Sequence, residues 1–257
     1  MRATLTVEHI RRAFGGIRAV DDVSFQTNGS GITGLIGPNG AGKTTLLNLI
    51  AGSTKAQSGR VLFADKDITG RSAAAIARGG LCRTFQMTHV FPGLSVRENL
   101  YRSALLRQLP TPWSLLRPGV VRAGREQAMA HAQATLGLLE MNHLADADAG
   151  ALAYGLQKIL GVGMALTTQP LMLLMDEPAA GLNPNETQEM TALIERIHRE
   201  AGISVVLVEH DMKMVMRLCE QLVVLVNGRL LAAGSTESVR DNPAVIEAYL
   251  GADLENA

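Results

Sequence analysis

A chain of 257 residues with 24 basic and 24 acidic side chains has no formal net charge, which argues against a nucleic-acid or anionic-lipid surface built on bulk charge. Its 47% hydrophobic content is ordinary for a globular protein with a real core, as one large domain or two small ones. Cys82 and Cys219 lack CxxC or metal-ligand spacing, and the six histidines form no HExxH cluster, so neither a disulfide scaffold nor a structural metal site is expected. "MRATLTVEHI" lacks the apolar core of a secretory signal, and no run approaches the ~18 apolar residues of a membrane span, so the expectation is a soluble protein.

In chain order, "TLTVEHI", "AVDDVSF" and "GITGLIG" read as strands, with Asn28-Gly29 and Gly31 marking a tight connection between the last two. "KTTLLNLIAG" changes to a helix closed by Gly52. "SGRVLFADKDI" reads as one further strand between turns. From Ser95 to Gly150 the pattern is mostly helical: "SVRE" fits a capping box with Ser95 as N-cap and Glu98 reaching back. Three prolines in "LPTPWSLLRPG" break that helix, and Ala128, Ala132, Leu136 and Leu139 share one face of the next. "PLMLLM" and "ISVVLVEH" are aliphatic without alternation, as strands covered on both faces of a parallel sheet are. "NETQEMTALIERIHREAG" between them is a helix ending at Gly202, and "LVVLVNGRLLAAG" is a hairpin turned by Asn227-Gly228. The sum is an α/β core interrupted by a helical insert.

Chemistry enters at "GPNGAGKT", Gly37 to Thr44, which satisfies G-x-x-x-x-G-K-[ST] between an expected strand and an expected helix. The glycines let backbone N–H groups converge on a phosphate, Lys43 adds a point charge, Thr44 offers a hydroxyl to Mg²⁺, and Thr45 is placed for another phosphate contact. "LMLLMDEP" puts Asp176 and Glu177 at a strand end, where open α/β sheets face their ligand crevice. Asp176 suits Mg²⁺ through water, and Glu177 can orient or deprotonate an attacking water. His210 ends the next strand in "VVLVEHD", where it can reach a γ-phosphate. Gln86 in "RTFQ" can serve Mg²⁺ or the water, or be a solvated loop amide; Phe14 can stack on a base or fill a core. "LAYGLQKIL", Leu152 to Leu160, is a second glycine-led turn into an apolar helix, of a kind that suits an anion.

The ordered set "GPNGAGKT", "TFQ", "LAYGLQ", "LLMDEP", "GLNP" and "VEHD" resembles the ATP-binding subunit of an ABC transporter over almost the whole chain. "RTFQMTHVFPGLSVRENL", "DEPAAGLNPNET", "VEHDMKMVM", the Pro-rich insert around Trp113 and the tail "NPAVIEAYLG" are similar to the branched-chain (hydrophobic) amino acid uptake branch, to which urea, amide and aromatic-acid importers are related. The resemblance implies an α/β P-loop NTPase core with an antiparallel β-subdomain and an inserted α-helical subdomain, residues 1–90 and 165–257 forming the core and about 91–164 the insert. It implies ATP and Mg²⁺ as cofactors. Phe14 would stack on adenine; Gly37, Asn39, Gly40, Ala41, Gly42, Lys43, Thr44 and Thr45 would cradle phosphate; Thr44, Gln86 and Asp176 would serve the metal. Glu177 would be the general base, with His210 and Gln86 beside it. Ala153, Tyr154, Gly155 and Gln157 would touch ATP held by a second, head-to-tail ATPase subunit, identical or not, and Asn183 would cross between the two sites. The further partners implied are two transmembrane permease subunits and, indirectly, a solute-binding protein, with no nucleic acid, at the cytoplasmic face of the inner membrane. A soluble ABC-type ATPase acting on DNA or ribosomes is the alternative, opposed by the short insert and the single motif set; a GTPase or kinase is opposed by the missing NKxD motif.

The chain departs from the family pattern at its signature. Ala153 stands for the usual Ser and Leu156 for a polar residue, and Gly161 and Gly163 lie inside the following helix, each expected to cost about 1 kcal/mol relative to Ala. The expectation is an active but weaker grip on the partner's nucleotide, as in the weaker half of an asymmetric heterodimer.

Overall fold

The computed structural model describes residues 3–84, 90–108 and 118–255. Gln86, Trp113, Pro110 and Pro112 lie outside the described residues. The chain divides into two compact units, one of Met1–Arg83, Leu171–Glu177 and Ala201–Ala257, the other of Thr84–Pro170 and Pro178–Glu200.

The first unit is built on two sheets. An antiparallel sheet has the order β2-β1-β4-β5, with β1 at Leu5–Phe14, β2 at Ile17–Gln26, β4 at Ser58–Phe63 and β5 at Lys66–Asp67. "SGRVLFADKDI" is thus two strands rather than one. Ala64 and Asp65, at φ 47 and 62, form the tight reversal that the aliphatic pattern alone did not reveal. The second sheet has the order β10-β9-β3-β8-β7-β6, with β3 at Ile32–Ile36, β6 at Leu81–Arg83, β7 at Met172–Asp176, β8 at Ser204–Val208, β9 at Gln221–Val226 and β10 at Arg229–Ser235. The pairs from β9 to β6 are parallel; β10 returns antiparallel through the Asn227-Gly228 turn, both residues at positive φ. All residues of β3, β7 and β8 are buried, as strands covered on both faces must be.

Helix α1, Lys43–Ile50, packs Leu46, Leu47 and Ile50 into a core shared with Val7, Ile10 and Val61 of the antiparallel sheet and Leu174, Val206 and Val223 of the parallel one. Short helix α2, Ala73–Arg78, is capped by Ser72. Asp21 joins the sheets: its N–H donates to Gly228 O at 2.7 Å, and its carboxylate accepts two bonds from Arg229 (2.7 and 3.0 Å) and one from Arg18 (3.2 Å). Arg229, assisted by Arg18, holds that carboxyl below the usual carboxylate range.

The second unit is helical. The capping box at Ser95 opens α3, Val96–Gln108: Glu98 accepts from Ser95 N–H at 3.0 Å, and the Ser95 hydroxyl accepts from Glu98 N–H at 3.1 Å. Helix α4, Pro118–Leu138, buries Ala128, Ala132 and Leu136, with Leu139 just beyond its end. Helix α5 is Tyr154–Leu166, and α6, Pro184–Ala201, buries Met190, Leu193, Ile194 and Ile197 along one stripe. In the first unit, α7 (Met212–Leu218), α8 (Thr236–Arg240) and α9 (Pro243–Glu255) complete the described elements.

The two interior glycines of α5 differ. At Gly163 a Cβ would meet Leu139 at 2.4 Å and Leu100 at 3.1 Å, so glycine is the condition for close packing there. At Gly161 nothing lies within 4 Å. Only Gly161 is the uncompensated loss of helix propensity that the sequence suggests at both.

Candidate functional site

Because β3, β8 and β7 run parallel and adjacent, their C-terminal ends open on one edge of the sheet. That edge is where open α/β sheets bind ligands. The loop after β3 is the glycine-rich turn. Gly37, Gly40 and Gly42 have φ of 149, 78 and 98. A Cβ would stand 2.1 Å from Leu225 O at Gly37 and 2.2 Å from Ala19 O at Gly42. Two of the three glycines are therefore required by backbone conformation and space together. Asn39 and Gly40 are exposed at the loop tip, and Ala41 is buried, its carbonyl accepting from Gly228 N–H at 3.0 Å. No side chain caps α1, whose N-cap is Gly42. The first N–H groups of that helix are the donors an anion would take.

Lys43 folds back over the loop, its Nζ donating to Gly37 O at 2.7 Å and Pro38 O at 2.9 Å. Burial lowers its pKa, and the negative charges of Glu177 and Asp176 oppose that. Thr44 is exposed and Thr45 half-buried.

Asp176 is the last residue of β7 and its side chain is fully buried. Oδ2 accepts from Arg83 at 2.8 Å; Oδ1 is buried without a hydrogen-bond partner. Burial raises the Asp176 carboxyl, the Arg83 guanidinium pulls it back, Glu177 pushes it up, and the nearby Thr44 hydroxyl lowers it. Arg83 also donates to Asn48 of α1, so one guanidinium joins the P-loop helix to the carboxylate strand. Neither Arg83 nor Asn48 stands out in the sequence, since the partners are distant in the chain and carry no motif.

Glu177 follows at φ 51, a left-handed conformation that is uncommon for a non-glycine residue, with its N–H spent on Val208 O at 2.9 Å. His210, after β8, is exposed; its N–H donates to Glu209 at 3.2 Å, and its Nδ1 lies 3.8 Å from the same carboxylate. Glu209 is itself buried, and its position between an apolar strand and a candidate histidine was the one signal for it. Phe14 ends β1, 46% exposed rather than in a core, with the Arg12 guanidinium 4.5 Å from its ring centroid.

In the second unit, α5 starts without a side-chain cap: its N-cap is Ala153, and Tyr154 is 48% exposed. A Cβ on Gly155 would stand 2.8 Å from the Glu186 carboxyl group. Gln157 turns back on its own chain, donating to Leu152 O at 2.9 Å and Gly150 O at 3.4 Å. Asn183 N-caps α6, its Oδ1 accepting from the N–H groups of Asn185 (2.9 Å) and Glu186 (3.0 Å).

Among the described residues no group of three or more His, Cys, Asp or Glu could hold a metal, and no helix is long and apolar enough to cross a membrane. The orphaned Asp176 Oδ1, on a carboxyl that the Thr44 hydroxyl also reaches, nevertheless fits Mg²⁺, which takes one or two carboxylates and completes its shell with water and substrate phosphate.

A glycine loop on an uncapped helix, a lysine folded over it and two acids at the end of β7 define a phosphate-loop nucleoside triphosphatase. The family model "ABC transporter" matches residues 20–180, and the model "Branched-chain amino acid ATP-binding cassette transporter" matches residues 229–255. The chain is 39% identical over 252 residues to the high-affinity branched-chain amino acid transport ATP-binding protein BraF of Pseudomonas aeruginosa, covering 97% of this chain and 98% of the relative. It is 40% identical to LivG of Escherichia coli, which has the same description, over 96% of this chain and 97% of the relative. The crystal structure of the ADP conformation of MJ1267, an ATP-binding cassette of an ABC transporter, superposes with a TM-score of 0.81 at 34% identity, covering 98% of this chain and all of that one. The chain belongs to the ABC transporter family, as an ATP-binding and ATP-hydrolysing subunit.

Proposed function

We propose that this chain energises an importer of branched-chain or other hydrophobic amino acids, or of a related amide or organic acid. The observation that carries the substrate class is the match of residues 229–255 to the branched-chain model, in agreement with two relatives that cover nearly the whole chain. The chain acts as a pair of ATPase subunits, identical or not, docked on two permease subunits at the cytoplasmic face of the membrane, with a solute-binding protein delivering the cargo to the permeases.

In this reading Phe14 stacks on adenine, and the loop Gly37–Thr45, with Asn39, Ala41 and Lys43, cradles the phosphates. Thr44 and Asp176, with Gln86 from outside the described residues, would hold Mg²⁺, which would supply electrostatic stabilisation of the phosphate charge. Glu177 takes a proton from the attacking water while His210 steadies the γ-phosphate. The water oxygen bonds to γ-phosphorus, the bond to the β–γ bridging oxygen breaks, and ADP and phosphate leave. Ala153, Tyr154, Gly155, Gln157 and Asn183 of one copy meet the nucleotide of the other. ATP then favours the closed pair and hydrolysis removes that preference.

The test is uptake of labelled leucine by cells lacking their own branched-chain system and expressing this chain with its permeases. Uptake restored by the wild type and abolished by Glu177→Gln supports the assignment. ATP hydrolysis without leucine, isoleucine or valine uptake rejects the substrate class.

A further inference from the structure

Within the second unit, the tip of α5 and the loop 178–183 are tied together more closely than either needs for its own shape. Lys158 lies one turn into α5 and is only 7% exposed. Its Nζ donates to Pro178 O at 3.1 Å and to Ala180 O at 2.5 Å. The ammonium also lies 5.4 Å from the centroid of the Tyr154 ring. The edge of that ring faces Gly181, where a Cβ would stand 3.4 Å from Tyr154 Cε1. A second tie runs through Glu186. Its Oε2 accepts from Asn183 N–H at 2.9 Å, and its carboxyl group packs against Gly155, where a Cβ would stand 2.8 Å from it and push this side chain aside.

A buried ammonium is costly unless paired, and an apolar side chain would fill the same place on α5 without that cost. What the lysine adds is a hold on two loop carbonyls that lie outside any helix or strand. Gly155 has a matching explanation: its missing side chain makes room for the carboxylate that secures Asn183.

We propose that Lys158 is a positioning residue that fastens loop 178–183 to the tip of α5, with Glu186 as the second fastening. Tyr154, Gly155 and Asn183 are then presented to a second copy's nucleotide as one preformed surface. The fastening is a property of a single copy; its consequence for pairing rests on the pair proposed above.

The experiment uses the full chain in a Glu177→Gln background, with Lys158→Met, Lys158→Arg and Glu186→Ala added separately. Hydrogen exchange of the nucleotide-free single copy is read first. Lys158→Met is expected to speed exchange at the amides of residues 182, 183 and 185–187 by about tenfold or more and to leave α4 unchanged, with Lys158→Arg restoring protection. Unchanged exchange at 182–187 overturns the proposal. ATP-driven pairing is read next by size exclusion. Lys158→Met is expected to weaken pairing by about tenfold while single-copy affinity for a fluorescent ATP analogue holds, and Lys158→Arg is expected to rescue it. Pairing equal to the parent overturns the functional half. A parent that never pairs with ATP refutes the proposed pair, and the exchange result then still decides the fastening. Glu186→Ala is expected to give the same exchange signature at 183–187, which keeps the test open should Lys158→Met not fold.

Discussion

Two helices of this protein begin alike and lie in different surroundings. Both α1 and α5 follow glycine-bearing turns and start without a side-chain cap. At α1 the glycines are demanded by backbone conformation, φ 78 at Gly40 and 98 at Gly42, and the helix start is flanked in the same unit by a lysine and two carboxylates. At α5 the glycine is Gly155, inside the first turn of the helix, and what crowds it is a movable side chain, the Glu186 carboxyl. The difference teaches that a glycine-led helix start is only half a site. α1 has a lysine and two carboxylates beside it, whereas α5 opens on uncapped N–H donors beside Tyr154 and Glu186.

The largest expected effect breaks the comparison at α1. Lys43→Ala removes the cation folded over the loop, and ATP turnover should fall by more than about a hundredfold, measured by phosphate release. Next is the strut beneath α1. Arg83→Gln leaves Asp176 buried without its cation, and the denaturant midpoint should drop by an amount equivalent to about 3–5 kcal/mol. A smaller pair of effects sharpens the contrast inside α5. Gly163→Ala should destabilise by about 1–3 kcal/mol through overlap with Leu139, whereas Gly161→Ala, with open space around it, should stabilise by about 0.5–1 kcal/mol. Equal effects at the two glycines would refute the packing account.

The smallest effect concerns alkaline pH. Burial, with Glu220 adding to it, pushes the Cys219 thiol up to about 12 from a reference of 9.0. The folded state therefore holds this proton where the unfolded chain has lost it, and stability drains as pH rises from about 9 to about 12. Cys219→Ala should flatten that alkaline slope in thermal melts taken across the same range.

What could be read in advance followed from local rules. Fixed spacing announces Gly37 to Thr44; aliphatic runs announce β7 and β8, and hence the strand-end positions of Asp176, Glu177 and His210; the capping box at Ser95 and the Asn227-Gly228 turn are two- to four-residue signals. What stayed hidden depends on pairs far apart in the chain. Arg83 with Asp176, Asp21 with Arg229, and Lys158 with the carbonyls of Pro178 and Ala180 have no spacing rule. The same limit made Gly161 and Gly163 look equivalent, because helix propensity is a property of the residue and steric room is a property of its neighbours. The β4–β5 reversal stays hidden because Ala64-Asp65 lacks the glycine that usually marks a two-residue hairpin turn with positive φ.

Glu177 is wound against the natural hand of an L-amino acid. That twist costs of order 1–3 kcal/mol in the resting fold. Glycine at this position would relieve the torsion, so Glu177→Gly should melt at a higher temperature than the parent while turning over no ATP. With Glu177 as the base proposed above, sturdiness and work compete at a single peptide unit, and a screen that rewards thermal resilience alone would drift toward inert protein there.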